Sequence, residues 1–124
     1  MTLEARDLTF RYPRQGSAPV LERVNFSLSA GERVGLSAPS GRGKTTLCKL
    51  LAGWERPERG QVLLDGLPLS RYRGFCPVQL LWQHPEEAVD PLLKLRASLY
   101  EAGPVDPAVL EGLGVREAWL ERYP

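Results

Sequence analysis

Lysine is scarce in this chain. Only Lys44, Lys49 and Lys94 stand beside a basic complement that is otherwise arginine. Sixteen basic and fifteen acidic residues leave a formal charge of +1, too little of one sign for a nucleic-acid module that grips through many phosphates. No apolar run approaches the roughly 18 residues that span a bilayer, and residues 1–7 lack the basic-then-apolar build of a signal peptide. The two cysteines, Cys48 and Cys76, form no CxxC pair and no metal-ligand spacing. They read as small buried apolar groups in a reduced, cytosolic chain. Disorder pairs low hydropathy with high net charge, whereas 43% of these 124 residues are hydrophobic, enough for the core of one domain.

Glycine and proline are abundant, at 12 and 11 residues, so turns are frequent. Between them the pattern is first strand-like. Leu8, Phe10 and Tyr12 share one face of a period-2 run, with Thr9 and Arg11 opposite. After a turn-rich break at residues 13–17, Val24, Phe26 and Leu28 mark a second strand over 20–29, and Ala30-Gly31-Glu32 leads on tightly. Residues 33–37 are short, apolar and bounded by glycine, as a buried strand is. Leu47, Leu50 and Leu51 fall at helical spacing, and Gly53 suits the C-terminal cap. A strand over 61–65 ends in an Asp65-Gly66 turn, and 75–83 reads as another apolar strand. From Asp90 the periodicity predicts helices over 91–102, 107–113 and 115–122.

The informative stretch is Ala38-Pro39-Ser40-Gly41-Arg42-Gly43-Lys44-Thr45, which fits the phosphate-binding loop except at its first position. Gly41 and Gly43 lack Cβ, so the backbone can curl and turn its N–H groups towards a phosphate. A helix starting near Lys44 adds unpaired amides and the positive end of its dipole. Lys44 brings a mobile cation for the β- and γ-phosphates, and Thr45 a hydroxyl for a phosphate-bound Mg²⁺. Ala38 costs about 1–2 kcal/mol if its backbone must be left-handed, and almost nothing if it continues a strand. Arg42 can point outward, because the loop works through its amides. The same residues taken alone also describe a glycine-rich turn with a surface lysine. The strand before and the helix directly after separate the two.

In this order the motifs resemble the nucleotide-binding subunit of ABC transporters. Val20–Leu28, Gly31-Glu32 leading to Gly35-Leu36, the loop, Leu50-Leu51-Ala52-Gly53, Pro57, Gly60 and Asp65-Gly66 follow one another as in that family. The resemblance implies an α/β P-loop NTPase, an incomplete ABC ATPase fold. Its strands lie in 1–37 and 60–83, its P-loop and helix in 38–53, and the start of a helical subdomain in 90–124. ATP and Mg²⁺ are the implied cofactors. Tyr12 would be the A-loop aromatic stacking on adenine, although a tyrosine in an early strand is as readily a packing residue. Ser40, Gly41, Arg42, Gly43, Lys44, Thr45 and Thr46 would form the Walker A loop, with Thr45 on Mg²⁺ and Thr46 on the α-phosphate side. Gln83 would be the Q-loop glutamine reaching Mg²⁺ and the attacking water, or else a polar residue closing a strand. Gln79 and Gln83, four apart and followed by Ala88-Val89-Asp90-Pro91, resemble the dipeptide, oligopeptide and nickel importer branch, with Asp90 where asparagine is usual. The implied partners are permease subunits and a second ATP-binding subunit, with no nucleic acid, at the inner face of the cell membrane.

Tyr123-Pro124 resembles the residues just before the family's signature, so that signature, the Walker B aspartate, the catalytic glutamate and the switch histidine are expected to be missing. Val62-Leu63-Leu64-Asp65 has a Walker B look, but it comes too soon after the loop, and Gly66 makes it a hairpin turn. His84 precedes the place of the switch histidine. Without these groups the chain is expected to be inactive alone. The family's further strands flank the Walker A strand, so residues 33–37 are expected to leave an exposed apolar edge. Two other functions fit: a non-catalytic nucleotide- or partner-binding product, and a small P-loop metabolite kinase with Arg71 and Arg73 as lid arginines.

Overall fold

A computed structural model describes residues 1–13 and 18–124; most of the turn expected at 13–17 lies outside them. The chain divides into two units, Met1–Leu80 and Leu81–Pro124.

The first unit is built on β1 (Thr2–Phe10), β2 (Leu21–Ser29), β3 (Arg59–Leu64) and β4 (Leu67–Pro68), with the helix α1 (Lys44–Leu51). The sheet is antiparallel in the order β2-β1-β3-β4. β2 alternates as its sequence does, with Val24, Phe26 and Leu28 partly buried between exposed neighbours. β3 and β4 turn at Asp65 and Gly66, both at positive φ (50° and 78°), the pairing that a two-residue hairpin turn requires. Asp65 also accepts the Thr2 N–H at 2.7 Å. Ala5, Leu8 and Phe10 of β1 meet Leu21, Val62 and the α1 pair Leu47 and Leu50 in the core. Each leucine so buried stabilises the fold by about 1.5–3 kcal/mol.

β1 departs from simple alternation. Its register with β2 shifts between Ala5 and Leu8, and Asp7 takes φ 50°. Asn25 secures this bulge: its Oδ1 accepts the Asp7 N–H and its Nδ2 donates to Asp7 Oδ1, each at 2.9 Å. Across the sheet Gly60 (φ 82°) approaches so closely that a Cβ would lie 2.3 Å from the Arg6 and Asp7 carbonyl oxygens. The shift lets Ala5 and Leu8 enter one core. Thr9, expected on the outward face, is buried, and its hydroxyl accepts the Arg23 N–H at 3.1 Å.

Two expected strands do not form. Residues 33–37 and 75–83 have no ladder partner and remain irregular. An apolar run becomes a strand only when a neighbour takes its N–H and C=O groups, and none of β1–β4 does so. Val34 and Leu36 are 59% and 51% exposed, so apolar surface is exposed here, as expected, but on irregular chain and not on a strand edge.

The second unit holds α2 (Leu95–Leu99), α3 (Pro107–Gly112) and α4 (Glu117–Leu120), each shorter than its periodicity predicts. Asp106 caps α3, accepting the Ala108 N–H at 2.9 Å, with Pro107 in the first turn. Glu121 ties α4 to α2 through Lys94 Nζ and Arg96 Nε, each at 2.8 Å. The Lys94 and Arg96 hydrogen bonds hold the Glu121 carboxyl below its ordinary pKa, and Glu121 raises both cations in return.

Candidate functional site

The loop between β2 and α1 carries its chemistry on backbone geometry. Gly41 and Gly43 take φ 75° and 83°, a region costly to any residue with a Cβ. Gly43 is constrained twice, since a Cβ there would lie 3.0 Å from the side chains of Val20 and Leu21. That contact seats the loop on the start of β2. Ala38 is not strained: among the described residues, only Asp7, Arg23 and Asp65 take a positive φ without being glycine.

Gly43 also caps α1. No side chain hydrogen-bonds the cap, and the first turn holds no acidic residue. The first intrahelical bond runs from Leu47 N–H to Gly43 C=O at 2.8 Å. The amides of Lys44, Thr45 and Thr46 therefore stand at the positive end of the helix without an intrahelical acceptor.

Lys44 turns back onto the loop. Its Nζ donates to the carbonyls of Ala38 and, at 2.9 Å, of Pro39. Ser40, Gly41, Arg42 and Thr45 are exposed, and Arg42 lies outward as the sequence suggests. Thr46 is instead buried, at 6% exposure, and its Oγ1 sits 3.1 Å from the Tyr12 hydroxyl. Tyr12 in turn meets Phe10 edge-to-face, with centroids 4.9 Å apart and planes at 89°. The structure thus joins Tyr12 to the loop helix. Gln83 is exposed in the second unit, on irregular chain where a strand end was expected.

Phe10 and the Val20–Leu21 contact escaped the sequence reading as parts of the site. The signal for Phe10 was available, since it shares the period-2 face of Tyr12. The Gly43 contact carried none, because it joins residues 22 and 23 positions apart. Arg71 and Arg73 flank a segment that lines a cavity of about 650 Å³ together with Ala52 and Gly53. That is the C-terminal end of α1, opposite the loop, which does not favour them as lid arginines. Among the described residues no group of three His, Cys, Asp or Glu is placed to hold a metal ion, and no helix is long and apolar enough to cross a membrane.

A family model for the ABC transporter matches residues 21–102. The chain belongs to the ABC transporter family. It is 37% identical over 108 residues to the cytochrome c biogenesis ATP-binding export protein CcmA of Salmonella typhi, covering 87% of this chain and 51% of that protein. To antigen peptide transporter 2 of Mus musculus it is 43% identical over 70 residues, 56% of this chain and 10% of that protein. The solved structure of the ATP-binding subunit of an ABC transporter matches all of this chain and 55% of its own, with a TM-score of 0.69 at 26% identity. The fold is therefore that of an ABC ATPase, a P-loop NTPase, in part. The chain spans about half the length of the CcmA relative it matches. For an ABC ATP-binding domain nucleotide binding is the family property. An export protein and a peptide transporter give no support to the dipeptide and nickel importer branch expected from Gln79 and Gln83.

Proposed function

We propose that the loop and the first turn of α1 bind the triphosphate of Mg-ATP. The observation that carries this reading is the Lys44 ammonium folded onto the Ala38 and Pro39 carbonyls, above amides that no side chain caps. The residues fit the group. The helix start offers amides without an intrahelical acceptor, the left-handed glycines leave room for close approach, and Lys44 brings a cation. Lys44 exchanges two neutral carbonyl acceptors for anionic oxygens, a stronger class of hydrogen bond. The Gly43, Lys44, Thr45 and Thr46 amides orient the phosphates, with Thr46 acting through its N–H because its hydroxyl is engaged by Tyr12. Thr45 is exposed at the helix start, and its hydroxyl would hold Mg²⁺, which when bound would neutralise phosphate charge. Tyr12 offers an aromatic face to the base.

Catalysis is a separate matter. The phosphate cradle neutralises charge, but the described residues bring no carboxylate to it that would orient or deprotonate water, so binding without appreciable turnover is the expected behaviour of this chain. Permease subunits and a second ATP-binding subunit would be its partners at the cytoplasmic membrane face. For direction, the paired glutamines at 79 and 83 favour import, while 37% identity across 87% of the chain to a protein named for export favours export. The longer match supports export, and it is the direction we adopt. Inside-out vesicles carrying the assembled transporter should then load substrate when ATP is added outside, whereas an importer would empty them.

Calorimetry tests the binding itself. The 124-residue chain should bind Mg-ATP, and Lys44→Ala should remove the heat. No heat from folded wild-type protein would refute the assignment.

A further inference from the structure

The end of α1 away from the phosphate loop, about 12 Å along the helix, borders the cavity of about 650 Å³ in the first unit. That volume lies within the range of small-molecule clefts, about 300–1000 Å³. Leu50, Val62 and Leu69 line it with apolar surface, and the first two are buried. Tyr72 adds a half-buried ring whose hydroxyl already donates to the Leu64 carbonyl at 3.0 Å. Glu55 and Arg56 are the charged side chains of the lining, and no ion pair among the described residues engages either one. Glu55 follows directly on the helix, where its N–H donates to the Lys49 carbonyl at 3.4 Å. Its half-buried carboxylate therefore stands at the negative end of the α1 dipole, where a cation is favoured and an anion is not. Withdrawing an unpaired carboxylate from water adds to that cost. Both effects call for a cation at Glu55.

We propose that this cavity is a second binding site, for a free amino acid with a large apolar side chain. Glu55 takes the ligand's ammonium and Arg56 its carboxylate, the planar guanidinium being suited to two parallel hydrogen bonds. The two charged groups of an amino acid sit on one carbon, and the two protein charges sit on consecutive residues, so one short ligand head can meet both. The ligand's side chain lies against Leu50, Val62 and Leu69, where its removal from water contributes to affinity. A nucleoside triphosphate does not suit this place, because its charge is all of the sign that Glu55 and the helix end repel. The site is separate from the loop and does not depend on the triphosphate reading.

The test titrates L-phenylalanine into the nitrogen-15-labelled 124-residue chain and follows its amide spectrum. Resonances of Gly53, Gly60 and Gly74, which line the cavity, should move and saturate, while those of Gly41 and Gly43 stay in place. Glu55→Gln and Arg56→Gln each remove one charge at nearly constant shape and lie outside the buried core, so both variants should fold. Each should bind phenylalanine at least about tenfold more weakly, the equivalent of one hydrogen bond to a charged group. Two truncated probes separate the charges. 2-Phenylethylamine, which lacks the carboxylate, should respond to Glu55→Gln and not to Arg56→Gln, and 3-phenylpropanoate should show the reverse. Absence of shifts at the cavity glycines in folded wild type, at millimolar phenylalanine, overturns the proposal. So does binding that both variants leave intact, or phenylalanine binding no tighter than that of both truncated probes.

Discussion

Three glycines at nearly the same φ should respond to alanine in a defined order. Gly41 (φ 75°) has nothing within 4 Å of an added Cβ, so Gly41→Ala meets only the left-handed backbone cost of about 1–2 kcal/mol. Part of that is offset by a stiffer unfolded chain, worth about 0.4–1 kcal/mol. At Gly43 (φ 83°) the same backbone cost applies, and the Cβ meets Val20 Cγ1 and Leu21 Cδ2 at 3.0 Å and the Val20 carbonyl at 3.3 Å. Overpacking of that kind adds about 1–3 kcal/mol. At Gly60 (φ 82°) the obstacles are backbone oxygens 2.3 Å away, which cannot move without opening β1 from β3. That loss should exceed about 4 kcal/mol, against a total of about 5–15 kcal/mol for a folded protein. Urea unfolding followed by far-ultraviolet circular dichroism should rank Gly41→Ala, Gly43→Ala and Gly60→Ala from least to most destabilising. A Gly43→Ala variant as stable as Gly41→Ala would refute the claim that the loop is seated on Val20 and Leu21.

Asn25→Ala removes the partner of Asp7 N–H and Oδ1 and of the Arg23 carbonyl, and should cost about 1–2 kcal/mol in the same assay; an unchanged midpoint would mean the bulge holds itself. The Glu121 carboxyl, held low by Lys94 and Arg96, stabilises the α2–α4 link above the ordinary carboxylate pKa, and that contribution disappears as pH falls through the lowered value. The helical signal of wild type should therefore weaken on acidification more than that of Glu121→Gln, and identical titrations would remove the link. Phosphate release from ATP by the chain alone should stay at background; steady release abolished by Lys44→Ala would contradict the absence of a water-activating group.

Legibility in the sequence followed how local the determining contacts are. The β2 alternation, the Asp65-Gly66 turn and the Leu47–Leu50 stripe each depend on residues a few positions apart, and each appears where the pattern puts it. Of the loop, the glycine turn and the helix start at Lys44 were legible for the same reason, whereas the strand expected directly before it did not form. The β1 bulge was not legible, because Asn25, Asp7 and Gly60 come from three strands. Residues 33–37 and 75–83 show the converse. Their composition suits a strand, but strand formation belongs to a pair, and a run with no partner stays irregular and exposed. The helices of the second unit shortened because periodicity marks a face and says little about ends. In the site, Lys44 turns back onto the Ala38 and Pro39 carbonyls and Thr45 is exposed at the helix start. The Thr46 hydroxyl meets Tyr12 instead, a residue 34 positions away in the chain.

The most direct measurement is the amide spectrum of nitrogen-15-labelled chain titrated with Mg-ATP. Resonances of Gly41, Gly43, Lys44, Thr45 and Thr46 should move first and furthest, saturating together, while those of Gly53 and Gly74 beside the large cavity stay in place. Shifts confined to the cavity residues, or none anywhere in folded protein, would contradict the claim that backbone amides at the start of α1 hold a nucleoside triphosphate.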